Sequence, residues 1–164
     1  MIACCDTSAL VKLYIVEPDS DAVAELAAGA EAVAVCRIAW AEAHAALSRR
    51  AREIPVDRPA IEAAKQALAR DWPDLLVLEV TQALVERAGE YADVFGLRAY
   101  DSVQLAAAYE AHRLAETPVA FLCFDSRLNK AARVLGMSTP FGFEVPYEVR
   151  HEVACQLLGH TDLR

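Results

Sequence analysis

The 164-residue chain has little that would tie it to a membrane, a disulfide framework or a nucleic-acid-coating surface. No apolar stretch approaches the roughly 20 residues needed to cross a bilayer, and the N-terminus lacks the basic segment of a signal peptide. A soluble, cytoplasmic protein with no membrane role is therefore expected. The five cysteines, Cys4, Cys5, Cys36, Cys123 and Cys155, are odd in number and show no CxxC spacing. That argues for buried, reduced thiols over a zinc site or disulfides. Basic residues are in deficit, 16 Lys and Arg against 24 Asp and Glu, which leaves a net charge of −8. Phosphate backbones are normally held by an excess of cations, so the balance argues against a coat of nucleic acid. It leaves room for an enzyme of nucleic acids, because acids gathered at a metal bring negative charge of their own. With no internal repeat, low-complexity tract or interdomain linker, one domain is expected.

What the chain does have is alanine, the best helix former, together with a few short, wholly apolar runs. Met1-Ile2-Ala3-Cys4-Cys5, Ala32-Val33-Ala34-Val35-Cys36, Leu75-Leu76-Val77-Leu78 and Val119-Ala120-Phe121-Leu122-Cys123-Phe124 read as strands buried on both faces. Pro140 to Val145 is expected to add a short fifth. Helical spacing separates these runs. A short helix is expected over Ser8–Tyr14, one opened by Pro18 and closed by Gly29, a long one over Ile38–Arg52, and one from Pro59 to about Arg70. Others run from an N-cap at Thr81 to Phe95-Gly96, from about Tyr100 to Leu114, and from Ser126 to Leu135. From Pro146 onward the chain reads as a partly helical appendage. Strands alternating with helices make a parallel sheet covered on both faces, with right-handed crossovers, the economical architecture.

Two of the apolar runs stop abruptly at an acid followed by hydroxyls: Asp6-Thr7-Ser8 and Asp125-Ser126. The carboxyl ends of parallel strands are where open α/β sheets bind ligands. If the two strands are neighbours, Asp6 and Asp125 face one crevice. Two further acids sit in apolar surroundings, where a charge is costly unless paired or bound to a cation. Glu42 interrupts Ile38-Ala39-Trp40-Ala41-Glu42-Ala43 with no basic residue three or four positions on, and Asp101 opens a helix before Val103-Gln104-Leu105-Ala106. Read singly, Glu42 is also compatible with a solvent-facing position and Asp101 with a helix N-cap.

Taken in order, these four segments resemble the PIN domain and, within it, the VapC-type toxins of bacterial toxin–antitoxin pairs. The resemblance is carried by Cys5-Asp6-Thr7-Ser8-Ala9-Leu10, Trp40-Ala41-Glu42-Ala43-His44-Ala45-Ala46-Leu47, Leu97-Arg98-Ala99-Tyr100-Asp101-Ser102-Val103-Gln104-Leu105-Ala106 and Phe124-Asp125-Ser126-Arg127-Leu128-Asn129-Lys130-Ala131-Ala132. It implies a three-layer α/β/α sandwich with a mostly parallel sheet of four to five strands, over a nuclease domain of residues 1–145 with an appendage at 146–164. It implies a metal-dependent endoribonuclease in which Asp6, Glu42, Asp101 and Asp125 bind Mg²⁺ or Mn²⁺. Hard divalent ions prefer oxygen ligands, relieve the repulsion between clustered carboxylates, and support attack on a phosphodiester that leaves a 5′-phosphate. It also implies RNA as substrate, a cognate antitoxin and a homodimer.

Around these acids, Ser8 is a candidate to orient water or a phosphate oxygen, or else a local turn or cap residue. Asn129, one turn after Asp125, is a candidate supporting residue or a local hydrogen-bonding one. Lys12, Arg37, Arg98, Arg127 and Lys130 lie near the acids in sequence and are candidate phosphate contacts. Arg49, Arg50 and Arg52 form a basic run that reads as a solvated helix face, or as a share in holding RNA or an antitoxin. His44 reads as a satisfied helix residue. Two other function classes are consistent with parts of the pattern. A non-catalytic PIN-like interaction module would have lost acids that are present here. A haloacid dehalogenase-like phosphohydrolase needs a second acid two residues after the first, where this chain has Ser8.

Overall fold

The computed structural model describes residues 1–142. Four strands, β1 (Ile2–Cys5), β2 (Ala32–Cys36), β3 (Leu76–Leu78) and β4 (Val119–Leu122), form one sheet in the order β3-β2-β1-β4. Every pairing is parallel. Seven α-helices connect and cover it: α1 (Thr7–Lys12), α2 (Ser20–Ala28), α3 (Ala39–Glu53), α4 (Arg58–Asp71), α5 (Gln82–Phe95), α6 (Ala99–Leu114) and α7 (Ser126–Val134). The result is a three-layer α/β/α sandwich.

The layers follow from the period of two along each strand. Cys4, Ala34, Cys36 and Phe121 point to one face, where they pack with Leu84, Ala88 and Tyr91 of α5, Leu105 to Ala108 of α6, and Leu128 of α7. Ala3, Cys5, Val35, Ala120 and Leu122 point to the other, against Leu10 of α1, Val23 and Leu26 of α2, Ala43 of α3 and Leu68 of α4. Small residues on α6 let its backbone approach the sheet closely. A smaller cluster of Leu47, Ile61 and Ala64 joins α3 to α4.

Local chemistry fixes the helix ends. The Thr81 hydroxyl accepts from the Leu84 amide, 3.3 Å, and Gly96 closes α5 in the left-handed region at φ 62°, where a side chain would be strained. Helix α2 begins at Ser20, two residues beyond Pro18, because Asp19 adopts φ 67° and interrupts the turn. Asp101 is not the N-cap of α6. Arg98 holds that position in extended conformation, which puts Asp101 in the first turn, three residues in.

Among the described residues no strand follows α7. A single parallel bridge between Ala120 and Ser138 lies two residues before the expected strand from Pro140 to Val145, and residues 140–142 are not in a strand. The remainder of that segment, the boundary at residue 145, the appendage over 146–164 and Cys155 lie outside the described residues. Cys4, Cys5, Cys36 and Cys123 are buried and free. Burial pushes all four thiols up, away from the reactive thiolate.

Candidate active site

Parallel pairing brings the first and last strands to a common edge. Cys5 lies beside Val35 of β2 and Leu122 of β4, and the Asp6 amide donates to the Leu122 carbonyl, 3.0 Å. Asp6 and Asp125 therefore leave the sheet side by side. α3 starts from the end of β2 and contributes Glu42, while α6 contributes Asp101. All four carboxylates line one cleft of 440 Å³ at the carboxyl edge of the sheet. A second pocket, of 210 Å³, lies beside α5 and holds two acids, Glu79 and Glu110.

Each acid is held differently. Asp6 is only 7% exposed. It is the N-cap of α1, and its Oδ1 accepts from the Ala9 amide, 3.1 Å, and the Ser8 hydroxyl, 2.7 Å. Its Oδ2 accepts from the Cys123 thiol, 3.3 Å. Burial pushes its carboxyl up to about 6; those three hydrogen bonds pull the other way and the nearby charge of Glu42 adds to the rise. Asp125 caps α7, its Oδ1 accepting from the amides of Arg127 and Leu128, each 2.8 Å. Asp101 is raised by burial and then by the charge of Asp125, offset by Arg98, Arg127 and the Arg98 amide. That last contact, from an acid three residues into the helix back to the N-cap amide, is half of a capping box.

Glu42 is not solvent-facing in isolation. Its Oε2 accepts from the Thr7 hydroxyl, 2.9 Å, and from Gln104 Nε2, 2.7 Å. The same Gln104 nitrogen reaches Thr7 Oγ1 at 2.8 Å. Gln104 is 4% exposed, so a buried amide on α6 and a hydroxyl on α1 clamp an acid on α3.

The supporting candidates are distributed unevenly. Ser8 lines the cleft, and its hydroxyl both donates to Asp6 and accepts from the Phe124 amide, 2.9 Å, bracing the two acid-bearing loops together. Asn129 is fully buried behind the cleft, where its Nδ2 donates to the Cys123 carbonyl, 2.7 Å. Gly142 packs so closely on it that a Cβ there would come within 2.1 Å of that nitrogen. Lys12 lines the cleft but is tethered: its Nζ donates to Glu17, 3.2 Å, and to the Pro18 carbonyl, 2.9 Å, and sits 4.6 Å from the centre of the Phe124 ring. Arg98 and Arg127 are exposed beside Asp101, and Lys130 is exposed on α7. Arg37 lies elsewhere. It pairs with Glu79 and lines a separate 280 Å³ pocket with Trp40 and Trp72. The His44 ring lies tilted against Trp40 with ring centres 4.7 Å apart, and its buried Nε2 finds no hydrogen-bond partner among the described residues, so it is not the satisfied histidine expected.

Thr7, Gln104 and Cys123 belong to the neighbourhood of the acids without having been singled out for it from the sequence, and of the basic run Arg49, Arg50 and Arg52 only Arg49 lines the cleft. Gln104 left a signal: it is one turn past Asp101 and the sole polar residue in Val103-Gln104-Leu105-Ala106. Nothing in the sequence marked Cys123 as more than the end of an apolar run.

The donor set suits a hard divalent cation. All four side chains are carboxylates, two have their charged form disfavoured by their surroundings, and none of the four joins an ion pair among the described residues. Their side chains are spread along the cleft. Among the described residues, no three His, Cys, Asp or Glu side chains converge closely enough to ligate one ion.

Known proteins of one family resemble this chain over most of its length. The PIN-domain family model matches residues 3–134. Two relatives from Mycobacterium tuberculosis, ribonuclease VapC45 of strain CDC 1551 / Oshkosh and ribonuclease VapC49 of strain ATCC 25618 / H37Rv, are each 30% identical over 135 residues, which is 80% of this chain and 89% of theirs. A solved structure, VapBC2 from Rickettsia felis bound to a DNA fragment from its promoter, matches with a TM-score of 0.58 at 17% identity. That match covers 86% of this chain and 98% of the other.

Proposed function

Because this chain belongs to the PIN-domain family, we propose that it is an endoribonuclease of the VapC type that hydrolyses RNA phosphodiesters with the help of Mg²⁺ or Mn²⁺. The observation that carries this reading is the gathering of Asp6, Glu42, Asp101 and Asp125 along one cleft at the carboxyl edge of the sheet. The ribonuclease names of the two relatives support it.

The four carboxylates would share the holding of the cation once it is bound, and it would supply Lewis acidity and charge neutralisation at the phosphodiester. The chain's own groups supply order. Asp6 is fixed at both oxygens by Ser8, Ala9 and Cys123, and Asp125 is fixed by the first turn of α7. The Thr7–Gln104 clamp aims Glu42 at the same cleft. These side chains lose little freedom when substrate binds, which is how preorganised sites gain rate. Asp101 is held by the Arg98 amide, with the charges of Arg98 and Arg127 beside it.

An antitoxin partner fits an acidic toxin by charge complementarity. A homodimer, a cytoplasmic location, and Asp6, Glu42, Asp101 and Asp125 as both catalytic and metal-binding residues, with Ser8 and Asn129 in support, complete the proposal. Purified protein is expected to cut RNA with Mg²⁺ or Mn²⁺, leaving 5′-phosphates, to stop in EDTA, and to lose cleavage in Asp101→Asn. Full activity of Asp101→Asn would show that the acids are not the centre, as in an interaction module that keeps the fold alone.

A further inference from the structure

The cleft carries five carboxylates and two cations, Lys12 and Arg49. Lys12 is taken up by Glu17, the Pro18 carbonyl and the Phe124 ring. Arg50, the next residue along, is taken up by Glu17 and Asp57. Arg49 is different: it is exposed at the cleft wall and makes no hydrogen bond, ion pair or ring contact among the described residues. An unpaired guanidinium in an otherwise acidic cleft, in a chain of net charge −8, is the group from which a polyanion gains most.

Its position says which part of a polyanion it meets. Glu42, Ala46 and Arg49 all line the cleft, and their spacing of four and three residues puts them on one face of α3. Seven residues at about 1.5 Å each separate Arg49 from Glu42 by about 10 Å along the helix axis. At about 3.4 Å of axial rise per nucleotide in a duplex, that distance reaches to a phosphate up to about three nucleotides away. A strand with its scissile phosphate among the acids therefore lays a different phosphate under Arg49.

Resting on the reading that the acid cleft cuts RNA, we propose that Arg49 is the backbone clamp of this site, binding a phosphate of the strand other than the scissile one. A guanidinium holds a phosphate with paired N–H donors. The contact positions the strand without reading its bases. It acts on binding, so it sets KM and leaves the chemical step to the acids. An acidic side chain of a partner protein would meet the same cation, but it would lack the second anionic group needed at the acids.

The test is steady-state cleavage of a single-stranded RNA oligonucleotide with Mn²⁺ at several salt concentrations, by wild type, Arg49→Ala, Arg49→Lys and Arg52→Ala. Arg52 is exposed on α3 and outside the cleft lining. Arg49→Ala is expected to raise KM about 10-fold, the effect of one charged hydrogen-bonding pair, with kcat within about twofold. The slope of log(kcat/KM) against log[salt] should flatten by about 0.7, one phosphate contact on a single strand. Arg49→Lys should recover part of the loss, and Arg52→Ala should match wild type. A neutral methylphosphonate scanned along the oligonucleotide should raise KM for wild type at one linkage within about three nucleotides of the scissile one and add nothing at that linkage in Arg49→Ala. Unchanged KM and slope in Arg49→Ala overturn the assignment, as does a fall in kcat alone. So does a variant that keeps its RNA kinetics while escaping inhibition by an acidic peptide. Wild type that fails to cut RNA at all overturns the clamp together with the nuclease reading, which separates the two failures.

Discussion

Replacing Asp6 by Asn is expected to make the metal-free protein more stable while abolishing its activity. Asp6 lies almost wholly inside the protein, and its carboxyl is raised from 3.8 to about 6, chiefly by burial. The folded state therefore holds its proton more tightly than the unfolded chain does. Stability from this group is fully present below about pH 4 and is lost as the pH rises through about 6. At 1.36 kcal/mol per unit the ionised form costs about 3 kcal/mol at pH 7.5. Asn carries no charge, keeps an oxygen for Ser8 and Ala9, and can donate its amide to the Cys123 sulfur. In EDTA at pH 7.5, Asp6→Asn should exceed wild type by about 2–3 kcal/mol in urea unfolding. The melting temperature should be higher by about 5–10 °C. The gap should close on acidification and vanish near pH 4. A variant no more stable than wild type at pH 7.5, or a gap that does not change with pH, would refute the claim that a buried, uncompensated carboxylate sits at the head of β1.

Gln104→Ala removes the buried donor that holds Glu42; it is expected to cost about 1–3 kcal/mol in urea unfolding and to lower kcat/KM for RNA by about 10-fold or more. Loss of stability with unchanged kcat/KM would make Gln104 a structural residue alone. Because Cys4, Cys5, Cys36 and Cys123 are buried with raised pKa values, a thiol reagent should label at most Cys155 of the five cysteines in the native protein. All five should react after denaturation, and rapid native labelling of more than one would contradict the packing described for the sheet.

The architecture was legible because each strand is a short apolar run with turn residues at its ends, and because parallel strands buried on both faces need no alternation. The bounds of β2 and the cap at Thr81 follow from the residues alone. The α2 start did not, since Asp19 occupies a left-handed conformation that a single sequence does not announce. Asp101 reads as a cap from its place before an apolar helix, yet the chain enters α6 three residues earlier at Arg98. The four acids could be picked out by their cost in apolar surroundings and by their resemblance to a family pattern. The Thr7–Glu42–Gln104 clamp could not, because periodicity tells which residues share a helix face and not which side chains meet across 35, 62 or 97 positions. The cations show the same limit. Proximity in sequence favoured Arg37, which the end of β2 carries away to Glu79, and ranked it above the basic run of Arg49, Arg50 and Arg52, of which two turns of α3 return Arg49 to the cleft.

The most direct test of the central claim is calorimetric titration of Mn²⁺ into the purified protein at pH 7.5, with Asp101→Asn alongside. The account predicts saturable binding by wild type that is lost or weakened at least about 10-fold in the variant, since one carboxylate ligand is worth more than about 1.4 kcal/mol at a hard cation. Mn²⁺ binding of equal strength by both proteins, or by neither, would contradict it.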